Sequence, residues 1–226
     1  MTHPASVNAT DISRHLAARC PVLRPVIAAA EPFVLLSRRG SLFEALLKSV
    51  VYQQLSGKAA GTIHGRVLAL LPTRAALQPE AVVVASDEAL RGAGLSRGKL
   101  LAIRDLAARA ANGQLPSRQK LARMTDEEII QNLVEIRGVG RWTAEMILIF
   151  MLGRLDVLPV GDLGVRRGFA LARGDEEMPT PDALTRHGER WRPYRSVAAW
   201  YLWRAFDLHV AGRLPQRVTR RRSSAT

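Results

Sequence analysis

Helix-starting signals recur along this sequence, and they constrain its fold more than any other feature. Two are capping boxes, Ser-x-x-Glu at 41–44 and Thr-x-x-Glu at 125–128, in which a hydroxyl and a carboxylate satisfy the first amides of a helix. Each is followed by apolar residues at helical spacing, and Ser96 begins another such stretch over 97–111. Only residues 33–36 favour a short extended piece. The pattern therefore predicts an all-α fold without internal repeats.

Size and charge set the broad class of protein. The 226 residues suit one globular unit or two closely packed subdomains, and 47% hydrophobic residues are enough for a core. Lysines and arginines number 33 against 20 acidic residues, a net charge of +13 that indicates a polyanionic partner, with nucleic acid favoured over a membrane surface. The single cysteine, Cys20, excludes an internal disulfide and a four-cysteine zinc or iron–sulfur site.

The apolar runs are short or interrupted by charge, and no signal peptide opens the chain. We therefore expect a soluble, cytoplasmic protein, associated with the nucleoid if it is bacterial.

The stretch over 133–162 holds the most informative local pattern. A helix end is followed by a tight turn at 138–140, a second helix, and an apolar loop that ends in one carboxylate. Gly138 and Gly140 permit backbone angles and close approaches that a Cβ would forbid, so the amides of the turn could point at an anion. A turn between two helices with no ligand explains the same glycines, and taken alone they favour that plainer interpretation.

Four sequence blocks change this balance. They are YQQLSGKAA at 52–60, IRGVGRWTA at 136–144, LPVGDLG at 158–164 and WRPYRSVAAWYLWR at 191–204. In this order they resemble the helix–hairpin–helix (HhH-GPD) DNA glycosylase superfamily of base excision repair, and most of all its 3-methyladenine DNA glycosylase II (alkylbase glycosylase) branch. The resemblance covers about residues 42–206, which is most of the chain.

The resemblance implies an all-α fold of two helical subdomains with the active-site cleft between them. The middle bundle with the hairpin would span 42–154, and the second subdomain would combine 1–41 with 155–226. A basic C-terminal tail is expected over about 213–226. At this length we do not expect the additional N-terminal β-rich domain of some relatives.

The resemblance places the catalytic carboxylate at Asp162. A glycosidic bond breaks through a transition state with oxocarbenium character on the sugar, which a nearby anion stabilises. An N-alkylated purine is already cationic and leaves with less acid help, so one carboxylate can suffice, and it can also orient or deprotonate the attacking water. Asp162 equally fits the N-cap of a helix over 163–172, and the two roles are compatible.

Trp142 stands at the second position after the last glycine of the hairpin, where lyase-competent relatives carry a lysine that forms a Schiff base. An indole has no nucleophilic amine, so the resemblance implies a monofunctional enzyme. Trp142 and Trp203 are candidate stacking surfaces for an extruded base, although Trp203 equally fits a core aromatic. Met146 and Leu163 complete the candidate base pocket and stand where the family's best-known member has tyrosines.

Extraction of a base leaves a gap in the stack. Gln53, Gln54 and Leu55, at a predicted helix end, are candidates to fill it from the minor groove, with Gln54 and Leu55 preferred. A plain helix end with Leu55 in the core explains the same residues. Phosphate contacts would come from the amides of Gly138, Val139 and Gly140, with further contacts from Arg141, Thr143, Lys58, Arg97 and Lys99.

The resemblance implies no required cofactor and no iron–sulfur cluster. It does imply a monovalent cation, Na+ or K+, held by hairpin carbonyls, here those of Val134, Ile136 and Val139. The expected partner is double-stranded DNA that contains damaged bases, and a monomer is expected.

Three functions fit these observations. The first is a monofunctional DNA glycosylase that hydrolyses the N-glycosidic bond of alkylated, 3-methyladenine-type bases. The second is a glycosylase of the same fold for deaminated or other damaged bases, and the third is a non-catalytic helix–hairpin–helix DNA-binding module. A binding module needs neither Asp162 nor an aromatic pocket, which disfavours the third.

Overall fold

Every regular element that the structure describes is helical. The computed structural model describes residues 8–34, 40–71 and 77–215, and the predicted all-α fold is confirmed over these ranges. Residues 33 and 34 of the predicted extension belong to no regular element, and 35–36 lie outside the described residues. Residues 216–226 of the predicted basic tail also lie outside them. Within the described ranges, no helix combines the length and the apolar character that a membrane crossing requires.

The helices belong to two compact units. Unit 1 combines Met1–Leu36 with Arg154–Thr226, and unit 2 is Ser37–Gly153. The helices of unit 1 are α1 (Ala9–Arg19), α2 (Leu23–Ala29), α11 (Leu163–Arg173), α12 (Pro181–Gly188), a 3-10 turn (Glu189–Trp191) and α13 (Arg195–Val210). Those of unit 2 are α3 (Leu42–Tyr52), α4 (Gly57–Ala69), α5 (Pro79–Val84), α6 (Asp87–Gly92), α7 (Arg97–Ala111), α8 (Arg118–Arg123), α9 (Asp126–Val134), α10 (Arg141–Met146) and a π-helical segment (Ile147–Met151).

Capping side chains start three helices of unit 2 at the residues that the sequence predicts. Both predicted capping boxes are complete, at Ser41 with Glu44 and at Thr125 with Glu128. Ser96 accepts a hydrogen bond from the Lys99 amide and begins α7 at the predicted residue. The predicted apolar face of α3 is buried in full, and its members are Leu42, Phe43, Leu46, Leu47, Val50 and Val51.

The core of unit 1 is built on the close crossing of α11 and α13. Gly168 of α11 lies against the backbone of α13, and an added Cβ would overlap the Leu202 carbonyl oxygen and lie 2.7 Å from its carbon. Trp191 and Tyr201 are fully buried in the same core, to which α1 and α2 also contribute. Position 168 therefore requires glycine, because the backbone of α13 occupies the space that a Cβ would need.

Three elements differ from the sequence predictions. Proline is common at the first position of a helix, which favours a start of the last helix at Pro193, but α13 starts at Arg195, because Tyr194 precedes it in a non-helical conformation. Helix α8 was not predicted, although Ser117 caps it. The helix after the hairpin changes from α to π geometry at Ile147, which no spacing of apolar residues indicates.

Candidate active site

Asp162 caps the start of α11, and its side chain is held by two donors. Its Oδ1 atom accepts the backbone N–H of Val165 at 2.7 Å and the indole Nε1–H of Trp203, on α13, at 2.9 Å. The residue is only 9% exposed. Two directional bonds to one oxygen fix the orientation of the carboxylate before any substrate arrives, which is the arrangement that electrostatic catalysis requires.

Gly164 makes room for the bond between Trp203 and Asp162. A Cβ at Gly164 would lie 2.9 Å from Cδ1 of the Trp203 ring and 3.1 Å from the Asp162 oxygen that accepts the bond. Both distances are shorter than an ordinary van der Waals contact. The glycine after Leu163 in the LPVGDLG block therefore has a role that the sequence alone did not assign.

The loop that leads to Asp162 is anchored on the first turn of α13. Arg195 donates from Nε to Asp156 Oδ1 at 2.8 Å, and from Nη2 to the Asp156 backbone carbonyl at 2.7 Å. The Ser196 hydroxyl accepts the Val157 amide at 2.9 Å and donates to the Arg154 carbonyl at 2.7 Å. Helix α13 thus holds both the beginning of this loop and, through Trp203, the carboxylate at its end.

Replacement of Trp203 by phenylalanine tests the hydrogen bond separately from the aromatic surface. Phenylalanine keeps a flat ring but has no N–H donor, so we expect base release to fall about tenfold, the size of one hydrogen bond to a charged group. The thermal midpoint should change little because Trp203 is half-buried. Single-turnover release of bases from methylated duplex DNA measures the effect.

The matched control is Trp200→Phe, one helical turn earlier on α13, where the indole packs edge-on against Phe33. It should leave base release within about twofold of the wild type. Equal losses in the two variants would mean that aromatic packing, and not the bond to Asp162, is responsible.

Unit 2 contains a cavity of about 490 Å³, within the size range of small-molecule sites. Trp142 and Met146, both predicted base-pocket residues, line it together with Phe150 on the same side of the hairpin's second helix. The indole of Trp142 is 46% exposed, which is unusual for a residue of this size. Leu163, the remaining predicted pocket residue, belongs to unit 1 and is 65% exposed at the first position of α11.

The hairpin turn uses its two glycines differently. Gly138 has a φ of +77°, and a Cβ there would lie 2.9 Å from the Cβ of Ala102 on α7, so both conformation and space require glycine. Gly140 has a negative φ and open space around its missing Cβ, and it begins α10 without a capping side chain. The Val139 amide donates to the Ile136 carbonyl at 3.0 Å, so it serves the turn itself.

Gln53 and Lys99 connect the predicted plug loop to the hairpin. Gln53 Nε2 donates to the Gly138 carbonyl at 2.9 Å and to the Thr143 hydroxyl at 3.4 Å. Lys99 Nζ donates to the carbonyls of Val51 and Gln53, at 2.7 and 2.8 Å, and thereby satisfies the C-terminal end of α3. Burial lowers the pKa of Lys99. The structure thus gives both side chains internal partners, and the DNA contacts predicted for them stay predictions.

Arg141 and Thr143 also have internal partners. Arg141 makes a paired contact with the Glu127 carboxylate, at 3.0 and 2.9 Å, and its Nε donates to Glu145 at 3.3 Å. The Thr143 side chain is buried. A phosphate would therefore have to compete with two carboxylates for Arg141, and it would reach Thr143 only through the backbone.

Gln54 and Leu55, the preferred plug residues, are exposed between α3 and α4. Gln54 has a φ of +55°, the one positive value outside glycine among the described residues. This left-handed conformation is strained for a residue with a Cβ, and such strain is common at ligand-contacting sites. Lys58 and Arg97, the remaining predicted phosphate contacts, are exposed near the starts of α4 and α7.

The predicted cation site consists of backbone carbonyls around the hairpin. Val134 ends α9, and the Ile136 carbonyl already accepts the Val139 amide while keeping a second lone pair. In the described part of the chain, no group of three or more His, Cys, Asp or Glu side chains is arranged to hold a metal ion. Any ion here would therefore depend on main-chain oxygens, the ligands that hard monovalent cations accept.

Comparison with known proteins decides the family. The family model of the HhH-GPD superfamily of base excision DNA repair proteins matches residues 47–193. The chain belongs to this superfamily. The match begins inside α3, contains α4, the hairpin and the loop to Asp162, and ends just before α13.

A curated relative and two solved structures are similar to most of the chain. DNA-3-methyladenine glycosylase 1 of Schizosaccharomyces pombe is 36% identical over 166 residues, which are 74% of this chain and 73% of that protein. A 3-methyladenine DNA glycosylase from the same yeast, solved with abasic DNA, has a TM-score of 0.77 and 31% identity over 85% of this chain and 95% of that one. A DNA-3-methyladenine glycosidase structure from Bacillus halodurans has a TM-score of 0.78 and 36% identity, with coverage of 93% and 95%.

Three residues that line the cavity were not predicted as part of the site, namely Lys48, Tyr52 and His64. Tyr52 begins one of the four sequence blocks, which is a signal that could have identified it. The positions of Lys48 and Tyr52, four residues apart on α3, place them on one helix face and gave a second signal. His64 had no distinguishing signal in the sequence.

Proposed function

We propose that this protein is a monofunctional DNA glycosylase that hydrolyses the N-glycosidic bond of alkylated bases in duplex DNA and leaves an abasic site. Its relatives named DNA-3-methyladenine glycosylase support the substrate class, and the relative solved with abasic DNA supports DNA as the partner. The observation that carries the proposal is the Asp162 carboxylate, oriented by the Val165 amide and the Trp203 indole.

Asp162 acts on the sugar and not on the base. As the glycosidic bond lengthens, positive charge develops on the deoxyribose, and a fixed carboxylate at about 4 Å stabilises it by roughly 4 kcal/mol at an effective dielectric of about 20. A cationic alkylated purine leaves as a neutral base, so no general acid is needed. The same carboxylate orients the water that completes the hydrolysis.

Trp142 determines that the reaction stops at the abasic site. A lyase reaction needs an amine that attacks the sugar carbon and forms a Schiff base, and an indole nitrogen is not nucleophilic in this way. Trp142 presents its exposed face to the cavity of unit 2, where it can stack against an extruded cationic base.

The remaining contacts follow from the hairpin and the plug loop. The uncapped start of α10 at Gly140 would bind a phosphate through its amides, with Lys58 and Arg97 as outlying charges, and Gln54 and Leu55 would fill the gap in the base stack. No cofactor is required. A Na+ or K+ ion on the carbonyls of Val134, Ile136 and Val139 would support the hairpin, and the protein would act as a monomer in the cytoplasm.

The test is an activity assay on methylated duplex DNA. Wild-type protein should release methylated purines, and the product strand should stay intact until it is treated with alkali, which cleaves abasic sites. Borohydride added during the reaction should trap no covalent protein–DNA adduct. DNA binding without release of any base would instead identify a binding module, and a trapped adduct would overturn the monofunctional assignment.

A further inference from the structure

Asp156 and Arg195 form an ion pair at the start of the loop that ends in Asp162. Two nitrogens of Arg195 donate to the two carboxylate oxygens of Asp156, Nε to Oδ1 at 2.8 Å and Nη2 to Oδ2 at 3.1 Å. This two-point contact fixes direction as well as distance. The Asp156 and Arg195 side chains are 27% and 17% exposed, so water screens this pair less than a pair on the open surface. We refer to residues 156–162 as the Asp162 loop.

Contacts along its length restrict the conformation of the Asp162 loop. The Val160 amide donates to the Leu158 carbonyl at 2.9 Å, and the Asp162 amide donates to the Pro159 carbonyl at 3.0 Å. The ring of Pro159 also fixes its own φ. Leu158 packs closely against Gly188, where an added Cβ would overlap Leu158 Cδ2. A displacement at the start of a loop held in this way is therefore transmitted toward the carboxylate at its end.

A second carboxylate lies within reach of the same guanidinium. Arg195 Nη1 is 3.5 Å from Oε1 of Glu189, which belongs to the 3-10 turn before α13. An uncharged amide at position 156 would keep one acceptor oxygen but would turn an NH2 group toward the donors of Arg195. The charge of Glu189 would then attract Arg195 more strongly than the amide does. The negative charge of Asp156 is therefore what keeps Arg195 on the loop.

We propose that Asp156 is a positioning residue for Asp162, and that its ion pair with Arg195 sets where the catalytic carboxylate stands against the sugar. The inference rests on the proposed glycosylase function. The Val165 amide and the Trp203 indole set how the carboxylate is turned, while the loop holds the backbone that carries it. Asp156 itself touches no reacting atom. Its effect is on distance, to which electrostatic stabilisation of a developing charge is sensitive.

Asp156→Asn tests the proposal, because it removes the charge at nearly constant size. We expect the single-turnover rate of base release from methylated duplex DNA to fall about tenfold, since a misplacement of about 1 Å can cost up to about a hundredfold and both donors to Asp162 remain. The dissociation constant for an abasic duplex should stay within about twofold of the wild type, because the loss concerns the transition state and not binding. Fluorescence anisotropy of labelled duplex measures the binding.

The Asp162→Asn background separates positioning from a general weakening of the protein. A residue that acts through the Asp162 carboxylate has nothing to position once that group is neutral, so adding Asp156→Asn there should lower the rate by less than about twofold. The rates are measured with enzyme in excess and corrected for the spontaneous loss of bases from the same DNA. A full further loss of about tenfold in the double variant would overturn the proposal.

Asp175→Asn is the matched control. Asp175 accepts an ion pair from Arg173 at 2.7 Å, and both side chains are exposed at the end of α11 in the same unit. This variant makes the same chemical change in an ion pair that is not attached to the Asp162 loop, so neither the rate nor the dissociation constant should change by more than about twofold. A thermal unfolding curve for each variant confirms that it is folded.

The outcomes separate this proposal from the proposed function. A wild-type protein that releases no base contradicts the glycosylase assignment itself. An active wild-type protein whose Asp156→Asn variant keeps its rate, or loses only affinity for DNA, overturns only the role of Asp156, and so does an equal loss of rate in Asp175→Asn. A slower Asp156→Asn variant with unchanged affinity, whose effect disappears in the Asp162→Asn background, supports the proposal.

Discussion

Replacement of Asp162 by asparagine should lower the single-turnover rate of base release by about a thousandfold and leave the protein folded. The expected loss corresponds to roughly 4 kcal/mol, the attraction between a carboxylate and the charge that develops on the sugar. Asparagine retains a side-chain oxygen that can accept the Val165 and Trp203 hydrogen bonds, so α11 keeps its cap. The rate is measured on methylated duplex DNA with enzyme in excess.

Asp182→Asn is the matched control, since Asp182 is an exposed acidic residue in the first turn of α12 in the same unit. It makes the same change in net charge and should retain the wild-type rate. Thermal midpoints of the three proteins should agree to within a few degrees. Near-normal base release by folded Asp162→Asn protein would falsify the catalytic assignment.

Replacement of Gly168 by alanine should destabilise unit 1 severely. The added Cβ would overlap the Leu202 carbonyl oxygen, and a backbone atom of a packed helix cannot move aside as a flexible side chain could. We expect a loss of about 3 kcal/mol in the free energy of unfolding, which for a chain of this length lowers the thermal midpoint by about 10 °C. Differential scanning calorimetry or circular dichroism measures the shift.

Gly65→Ala provides the control in unit 2. Gly65 lies inside α4, and an added Cβ there would meet no atom within 4 Å. Because alanine is the better helix former, this variant should be as stable as the wild type or more stable by up to about 1 kcal/mol. If Gly168→Ala melts at the wild-type temperature, α11 and α13 do not pack as closely as the structure indicates.

The loss of activity in Gly168→Ala should exceed what unfolding explains. Helices α11 and α13 hold the two donors to Asp162, one on each helix, so a change in their spacing alters the distance between Trp203 and the carboxylate. At a temperature where the variant is still folded, base release should therefore already be reduced.

The sequence predicted the helices well because their starting signals are local. A capping box or a serine N-cap needs only three or four consecutive residues, and those at Ser41, Ser96 and Thr125 all begin helices at the predicted positions. Asp162 was predicted both as a cap and as the catalytic group, and the structure shows the cap. The polypeptide does not need its tertiary structure to specify these features.

The parts of the site that the sequence did not predict depend on contacts between distant residues. The two carbonyls at the end of α3 that accept hydrogen bonds from Lys99, a predicted phosphate contact, come within its reach only after folding. Gln53 meets the hairpin 85 residues later, and the Trp203 bond to Asp162 joins residues 41 apart. Residue type alone cannot distinguish an internal donor from one that faces a ligand.

The two donors to Asp162 have a consequence for the conditions in which the protein works. A backbone amide and an indole keep their protons throughout the biological pH range, whereas a histidine or lysine in the same place could lose one. A change in cellular pH therefore removes neither of the two donors that hydrogen-bond to this carboxylate.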